Sequence, residues 1–281
     1  MSDLSDTTIT IPVRFDSTAR VRNLKVVLRF LTHHFKAPIL VCEEGDRPRA
    51  PDFLPEFSGR VGFVFERSES PYFHKTRCLN RLAVEARTPC ILSHDTDVLA
   101  PAESYRAART LLERGCHMAF PYDGLCLNVR EADMARIWSG LSLAHLSQKN
   151  CPVYVAHTYG GAALVSREAF LEAGMENENF LAWGLEDNER VVRFSLLGYR
   201  IARVPGPLFH LEHPCPPGQI GTKNPHYLAN EREYRRILGL SPQQLRAEVE
   251  AWPWRGRAAA QSESLRLGQV SQMKQISQPP A

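Results

Sequence analysis

No apolar run in the sequence approaches the roughly 18 residues that a membrane-crossing helix needs. The opening MSDLSDTTIT is polar and acidic, unlike a signal peptide. The expectation is a soluble, cytoplasmic protein, with peripheral contact at a membrane surface left open. Cysteine is sparse and unpatterned. The seven cysteines, at 42, 78, 90, 116, 126, 151 and 215, are odd in number and none forms C-x-x-C. That argues against a disulfide framework or a zinc ribbon and for reduced thiols, most of them small core residues. Charge of one sign is also lacking: 34 Lys and Arg against 31 Asp and Glu leave a net charge of +3. Without a dense basic run, no nucleic-acid partner is expected. No internal repeat is visible.

What is present is an ordinary globular composition, 43% hydrophobic and 23% charged over 281 residues, enough for one large α/β domain. TITIPVRF (8–15), APILVCEEG (37–45), VGFVFE (61–66), PCILSHDTD (89–97) and HMAFPYDG (117–124) read as strands. Residues 20–35, 76–86 and 102–115 carry apolar side chains at helical spacing, the last closed by a Gly suited to the position after a helix end. Strands alternating with helices predict a mostly parallel central sheet flanked by helices, with ligands outside the carboxyl ends of the strands. The second half is less regular. It offers a Gly-rich strand and short helix over 158–175, a helix after WGLEDNER, an extended segment over 202–214, and closing helices over 231–252. From about Arg255 the composition turns to Gln, Ser and Ala. The expected organisation is therefore one domain over 1–254 and a disordered polar tail over 255–281.

Four short stretches carry chemistry, and each has a plainer alternative. In ILSHDTDVLAP (91–101), Asp95 and Asp97 end an apolar strand. Two such carboxylates repel unless a cation or donor network sits between them. Mg²⁺ or Mn²⁺ commonly bridges carboxylates to phosphates; the alternative is an acidic turn capping the next helix. WGLEDNE (183–189) sets Glu186, Asp187 and Glu189 behind Trp183 and Gly184. Acids there favour a helix dipole, or they form a general base and a clamp beside a stacking indole. FHLEHP (209–214) carries His210 and His213, either turn or core residues or ligands completing a site begun by Asp97. TYGG (158–161) is a tight turn or a place where backbone approaches a ligand closely.

These stretches, in this order, resemble the nucleotide-sugar glycosyltransferases of the GT-A fold. The likeness is to the β-1,4-galactosyltransferases and the galactosyltransferase-like regions of chondroitin-type polymerases. It spans roughly residues 8 to 240. IPVRF is similar to that family's first strand, and FHKTRCLN (73–80) to its F-x-R-x-x-x-x-N segment, with Lys75 where Arg is frequent. DTDVLAP matches its metal-binding D-x-D, YGGAALVSREAFLEAGM its Gly-Gly strand and helix, and WGLEDNE its W-G-x-E-D motif. FHLEHP falls where the family has its last metal ligands.

The resemblance implies an inverting, metal-dependent transfer of a hexose or N-acetylhexosamine. The donor would be a UDP-sugar and the acceptor a hydroxyl of a saccharide or glycoconjugate, in polysaccharide or glycoconjugate synthesis. It implies Mn²⁺ or Mg²⁺ at Asp97, His213 and His210, although the His210 position is Met in some relatives. Asp187 would be the base and Glu186 a partner that holds sugar. Pro12, Val13, Arg14, Glu43, Phe73, Lys75, Asn80, Asp95, Asp97, Gly161 and Trp183 would line the donor side, with Trp183 on a mobile loop. Tyr159 and Asn188 would face the acceptor; the galactosyltransferases usually have Asp where Asn188 stands. A nucleotidyltransferase could also use two acids and Mg²⁺, but TIPVRFDSTAR lacks its Gly-rich basic signature. A non-catalytic sugar- or nucleotide-binding protein on the same fold is the other alternative.

Overall fold

TTITIPV is buried at every position, as a β-branched run flanked by strands on both sides should be. In the computed structural model, which describes residues 3–57, 59–214 and 223–256, it forms β1 (Thr7–Val13). There follow α1 (Thr18–His34), β2 (Ile39–Gly45), β3 (Val61–Arg67), α2 (Lys75–Glu85), β4 (Cys90–His94), β5 (Val98–Leu99) and α3 (Ala102–Glu113). The chain continues through β6 (Met118–Phe120), β7 (Cys126–Val129), α4 (Glu131–Gly140), β8 (Val153–Val155), β9 (Ala162–Ser166) and α5 (Arg167–Glu172). It closes with α6 (Glu186–Leu196), β10 (Ile201–Arg203), β11 (Leu208–Leu211), α7 (Tyr227–Leu238) and α8 (Pro242–Glu250). No described helix is long and apolar enough to cross a membrane.

The main sheet has the order β10-β6-β9-β4-β1-β2-β3. β4, β1, β2 and β3 are parallel neighbours, and β9 runs against both β4 and β6. This is the expected mostly parallel α/β sheet. From β1 the chain steps outward to β2 and β3, then returns to β4 on β1's other side. The crevice at the carboxyl ends of β1 and β4 is thus a topological switch point, where open α/β sheets take ligands. Pairing of β1 with β4 stops at Thr10 and Ser93, whereas pairing with β2 runs on to Val13 and Glu43. Pro12 is therefore tolerated in a central strand, because its missing N–H falls beyond the β4 ladder.

A second sheet, β5-β11-β7-β8, lies beyond the switch point. No element is expected over residues 125–157 from the sequence, yet they hold β7, α4 and β8. The extended segment 202–214 splits at Pro205-Gly206-Pro207 into β10 of the main sheet and β11 of the small one. The strands expected over 89–97 and 117–124 are shorter, ending at His94 and Phe120. Asp95, Thr96 and Asp97 form the turn between β4 and β5. α1 starts on Ser17, whose hydroxyl accepts from Arg20 N. Its Asn23 amide donates to Leu211 O at 2.9 Å, which ties the helix to the end of β11. The closing helices begin earlier than expected, at Tyr227, and α8 carries a Ser241–Gln244 capping box. Trp252 and Trp254 seal the core, the latter donating to Gly174 O. Residues 257–281 of the expected tail lie outside the described residues.

Candidate active site

Asp97 and the two histidines are far apart in sequence and meet through the small sheet. β5 and β11 pair antiparallel with Val98 opposite His210, and Leu211 N donates to Asp97 O at 2.7 Å. The side-chain ligand atoms of Asp97, His210 and His213 all lie within 4.8 Å of one another. His210 donates through Nδ1 to Asn128 Oδ1 at 3.0 Å, and His213 through Nδ1 to Pro214 O at 2.9 Å. His210 thereby keeps the lone pair on Nε2, and His213 Nε2 stands 3.2 Å from Asp97 Oδ2, within hydrogen-bond reach of it. Burial lowers His210 to about 4, so it is neutral at neutral pH. Burial would raise Asp97, but the His213 hydrogen bond and the Arg20 charge hold it well below the usual carboxylate range. One carboxylate and two imidazoles, each ring fixed through its Nδ1, are a fitting donor set for a Mn²⁺-class divalent ion. Arg20 also rests its guanidinium on Asp97 Oδ2. Tyr154 stacks flat on the His210 ring, centroids 4.2 Å apart.

The second half of the site is an acid cluster around one lysine. Lys75 Nζ lies 3.1 Å from Asp95, 3.5 Å from Glu186 and 3.4 Å from Asp187. Burial works against the lysine's charge, but the carboxylates of Asp187, Asp95 and Glu186 raise its pKa well above the ordinary value. The acids diverge. Burial, reinforced by the neighbouring Asp187 charge, pushes Glu186 up to about 7. Burial, with Asp187 and Asp97 nearby, brings Asp95 to about 6. Asp187 meets the same burial, yet Lys75 and Arg190 hold it below its ordinary value. Adjacent acids with separated proton affinities are the arrangement from which acid and base roles arise. The three acids do lie in the first turn of α6, where the helix dipole favours them, but Asp187 is not its cap. Leu185 is the N-cap, without a side-chain cap, and Asp187 bonds instead to Arg190 at 2.7 Å.

The two glycines of TYGG serve close approach. A Cβ on Gly160 would stand 2.8 Å from Asp187 Oδ2. Gly161 has φ +106°, and a Cβ there would stand 2.5 Å from Leu208 Cδ2. The carbonyl of Gly161 accepts from Asp95 N at 2.7 Å and that of Gly160 from Tyr122 at 2.6 Å, so this turn joins both acid groups. Tyr159 packs on Phe120 and under the Arg203 guanidinium. Asn188 is half-buried, one residue along α6 from Asp187.

The 182–185 loop carries Trp183, whose side chain is exposed. Ala182 and Leu185 are left-handed, with φ 59° and 71°, a conformation costing L-residues about 1–2 kcal/mol each. The backbone is pinned there. Asn230 donates to Leu181 O and Gly184 O, Asn224 to Trp183 O, and Ala182 N to Phe73 O.

Among the other residues expected on the donor side, Pro12 and Val13 are buried in β1. Arg14 bridges Glu44, Ser70 O and Tyr72 O. The structure does not bring Glu43 or Asn80 to the cluster. The Glu43 carboxylate accepts from Arg49 N and Ala50 N, closing its own loop. The Asn80 amide is used up on Glu176 and Glu178. Asn80 belongs to the FHKTRCLN likeness and Glu43 to the polar end of APILVCEEG; neither position tells a lining side chain from one turned inward. Conversely, Arg20, Asn128, Glu176 and Arg190 touch the site and were missed. Asp187 to Arg190 is an i,i+3 spacing visible in the sequence; Asn128 and Glu176 gave no signal.

A family model described as the N-terminal domain of galactosyltransferase matches residues 142–214, a stretch holding Tyr159, Gly161, Asp187, His210 and His213. No curated protein sequence matches the chain. Among solved structures, the mannosyltransferase PcManGT from Pyrobaculum calidifontis, in complex with GDP-Man and Mn²⁺, is 14% identical. It aligns over 94% of this chain and 75% of its own, with a TM-score of 0.51. Glucosyl-3-phosphoglycerate synthase from Mycobacterium tuberculosis, in complex with Mg²⁺ and UDP, is 15% identical over 81% and 78%, with a TM-score of 0.50. The catalytic domain of Drosophila β1,4-galactosyltransferase 7, in complex with xylobiose, is 19% identical with a TM-score of 0.42. It aligns over 70% of this chain, which spans 63% of that domain's length. The chain has the GT-A fold of nucleotide-sugar transferases, and between residues 142 and 214 it resembles the galactosyltransferases.

Proposed function

We propose that the protein is a divalent-cation-dependent, inverting glycosyltransferase. It moves a hexose or N-acetylhexosamine from a UDP-sugar to a hydroxyl of a saccharide or glycoconjugate, in polysaccharide or glycoconjugate synthesis. The observation that carries this reading is the Asp97–His210–His213 cluster, joined to the ionised Asp187 through Asp95 and Lys75. Nucleotides with Mn²⁺ or Mg²⁺ in two GT-A structures support it.

In this reading Asp97, His210 and His213 hold the cation, whose chemistry is to neutralise a diphosphate and its growing negative charge. Asp187 takes the proton of the acceptor hydroxyl as that oxygen bonds to the anomeric carbon. The bond from that carbon to the phosphate oxygen breaks, and its electron pair leaves with the diphosphate. A single displacement inverts the configuration. Lys75 balances the acids facing the sugar. Trp183 and Arg14 lie on the donor side, Tyr159 and Asn188 on the acceptor side. The six described cysteines are free, which supports a reducing, cytoplasmic setting.

The test is a screen of nucleotide sugars for transfer or donor hydrolysis with Mn²⁺, repeated with Asp187→Asn. A loss of turnover of about 10²–10⁴-fold with donor binding retained is expected. Binding without turnover in the wild-type protein would instead favour the non-catalytic alternative.

A further inference from the structure

The carboxylate of Asp187 is not symmetric in its surroundings. Oδ1 accepts from Arg190 Nη2 at 2.7 Å. Oδ2 faces Lys75 Nζ at 3.4 Å and the Cα of Gly160, where a side chain would collide with it. Arg190 is itself fixed from behind: its Nη1 donates to Glu176 Oε1 at 2.5 Å, and both side chains are almost fully buried. Glu176 is fixed in turn. Its backbone N–H donates to Asn80 Oδ1 at 2.7 Å and its carbonyl accepts from Asn80 Nδ2 at 3.0 Å. A chain of contacts thus runs from α2 through Asn80, Glu176 and Arg190 to one oxygen of Asp187.

Resting on Asp187 as the base, we infer that Arg190, backed by Glu176, is the positioning residue that gives the two oxygens of Asp187 different tasks: Oδ1 is held, and Oδ2 receives the acceptor proton. The hydroxyl hydrogen passes to Oδ2 while the hydroxyl oxygen forms the new glycosidic bond. A planar guanidinium on a buried carboxylate oxygen fixes its direction in a way a flexible ammonium does not. Rotation of Asp187 about its terminal bond would break the Arg190 contact, and a larger residue 160 would push Oδ2 aside. Groups fixed by packing and by outer contacts hold productive geometry. The charged or titratable groups facing Asp187 are Lys75 from α2, Asp95 after β4, Tyr122 after β6, and Glu186 and Arg190 on its own helix.

The experiment compares wild type with E176Q, R190Q and the double variant E176Q/R190Q, which buries neither charge without its partner. Melting temperature and circular dichroism check folding, and calorimetry gives the UDP-sugar dissociation constant. The pH dependence of turnover is the readout that a merely structural role would not move. R190Q and the double variant should lose about 10–100-fold in turnover at unchanged donor affinity, with the acid limb of the profile moved to higher pH. E176Q should fall between them and wild type. Wild-type turnover with an unmoved acid limb in a folded double variant overturns the inference. So does a parallel loss of melting temperature, donor affinity and turnover in all three variants. Asp187→Asn is the control: wild-type turnover there sinks the base assignment itself. If the wild-type protein transfers no sugar, carboxyl-carbon NMR of Asp187 still decides the pair. R190Q must raise its titration midpoint, and an unmoved midpoint overturns the role of Arg190.

Discussion

Asp97 and His213 meet at a single oxygen: His213 Nε2 lies 3.2 Å from Asp97 Oδ2, the same atom on which Arg20 rests. A cation entering here competes with an internal one. Nucleotide affinity should therefore depend on metal through Asp97. Calorimetry of UDP with Mn²⁺ and with EDTA should give a tighter complex with metal. In Asp97→Asn that difference should vanish. Equal affinities in the wild-type protein would remove the metal from the nucleotide site.

Among the described residues, Lys75 is the one cation in ion-pair contact with all of Asp95, Glu186 and Asp187. Lys75→Met would leave three carboxylates facing one another. Removing one partner of a buried ion pair costs roughly 3–5 kcal/mol. Because the lysine keeps some exposure at the rim, the loss should fall at the low end of that range. Urea unfolding at neutral pH measures it, and the loss should shrink as the pH falls and the acids protonate. A variant as stable as wild type at pH 7 would contradict the cluster.

Glu186 gives a pH-dependent stability of definite sign. Burial and the adjacent Asp187 raise it from 4.5 to about 7. Between those values the folded protein binds more protons at this site than the unfolded chain. The stability it contributes is therefore complete below pH 4.5 and is lost as the pH rises through 7. Glu186→Gln removes this dependence. Relative to wild type, the variant should gain stability between pH 4.5 and 7, by at most roughly 3 kcal/mol, and the gap should then stay level. Denaturant titrations across that range check it; a gap that narrows with rising pH would contradict it.

Gly161 combines a left-handed φ of +106° with a side-chain wall at Leu208. Gly161→Ala should cost about 1–3 kcal/mol from backbone strain before any clash is counted. It should also loosen the turn that accepts from Asp95 N. A drop in melting temperature together with weaker nucleotide binding is expected, and a neutral substitution would show that the turn is free to shift.

The parallel half of the fold was legible because it is local. TITIPVRF, APILVCEEG and VGFVFE are short apolar runs, the first two separated by a helix of regular period, and their polar ends mark the carboxyl edge of the sheet. The small sheet was not legible, because its strands are two to four residues long and exist only through partners distant in sequence. DTD, WGLED and the two histidines could be named from the chain, and the structure brings them together. Which residues hold them could not, since Asn128 and Glu176 sit in stretches with no pattern. Glu43 and Asn80 turn inward, the first to the backbone of Arg49 and Ala50, the second to the backbone of Glu176 and the Glu178 side chain.

The two-residue pairing of Val98 with His210 has a consequence for how the protein is made. Asp97 leaves the ribosome long before either imidazole has been synthesised. A nascent chain carrying the whole parallel half of the sheet holds one third of the ligand set. An ion seated by Asp97, His210 and His213, as proposed, would therefore not template early folding. Under the proposed function, the complete ligand set would exist only after β11 has docked beside β5, so metal would be loaded late, and a ribosome stalled short of His210 would present a sheet without its imidazole ligands.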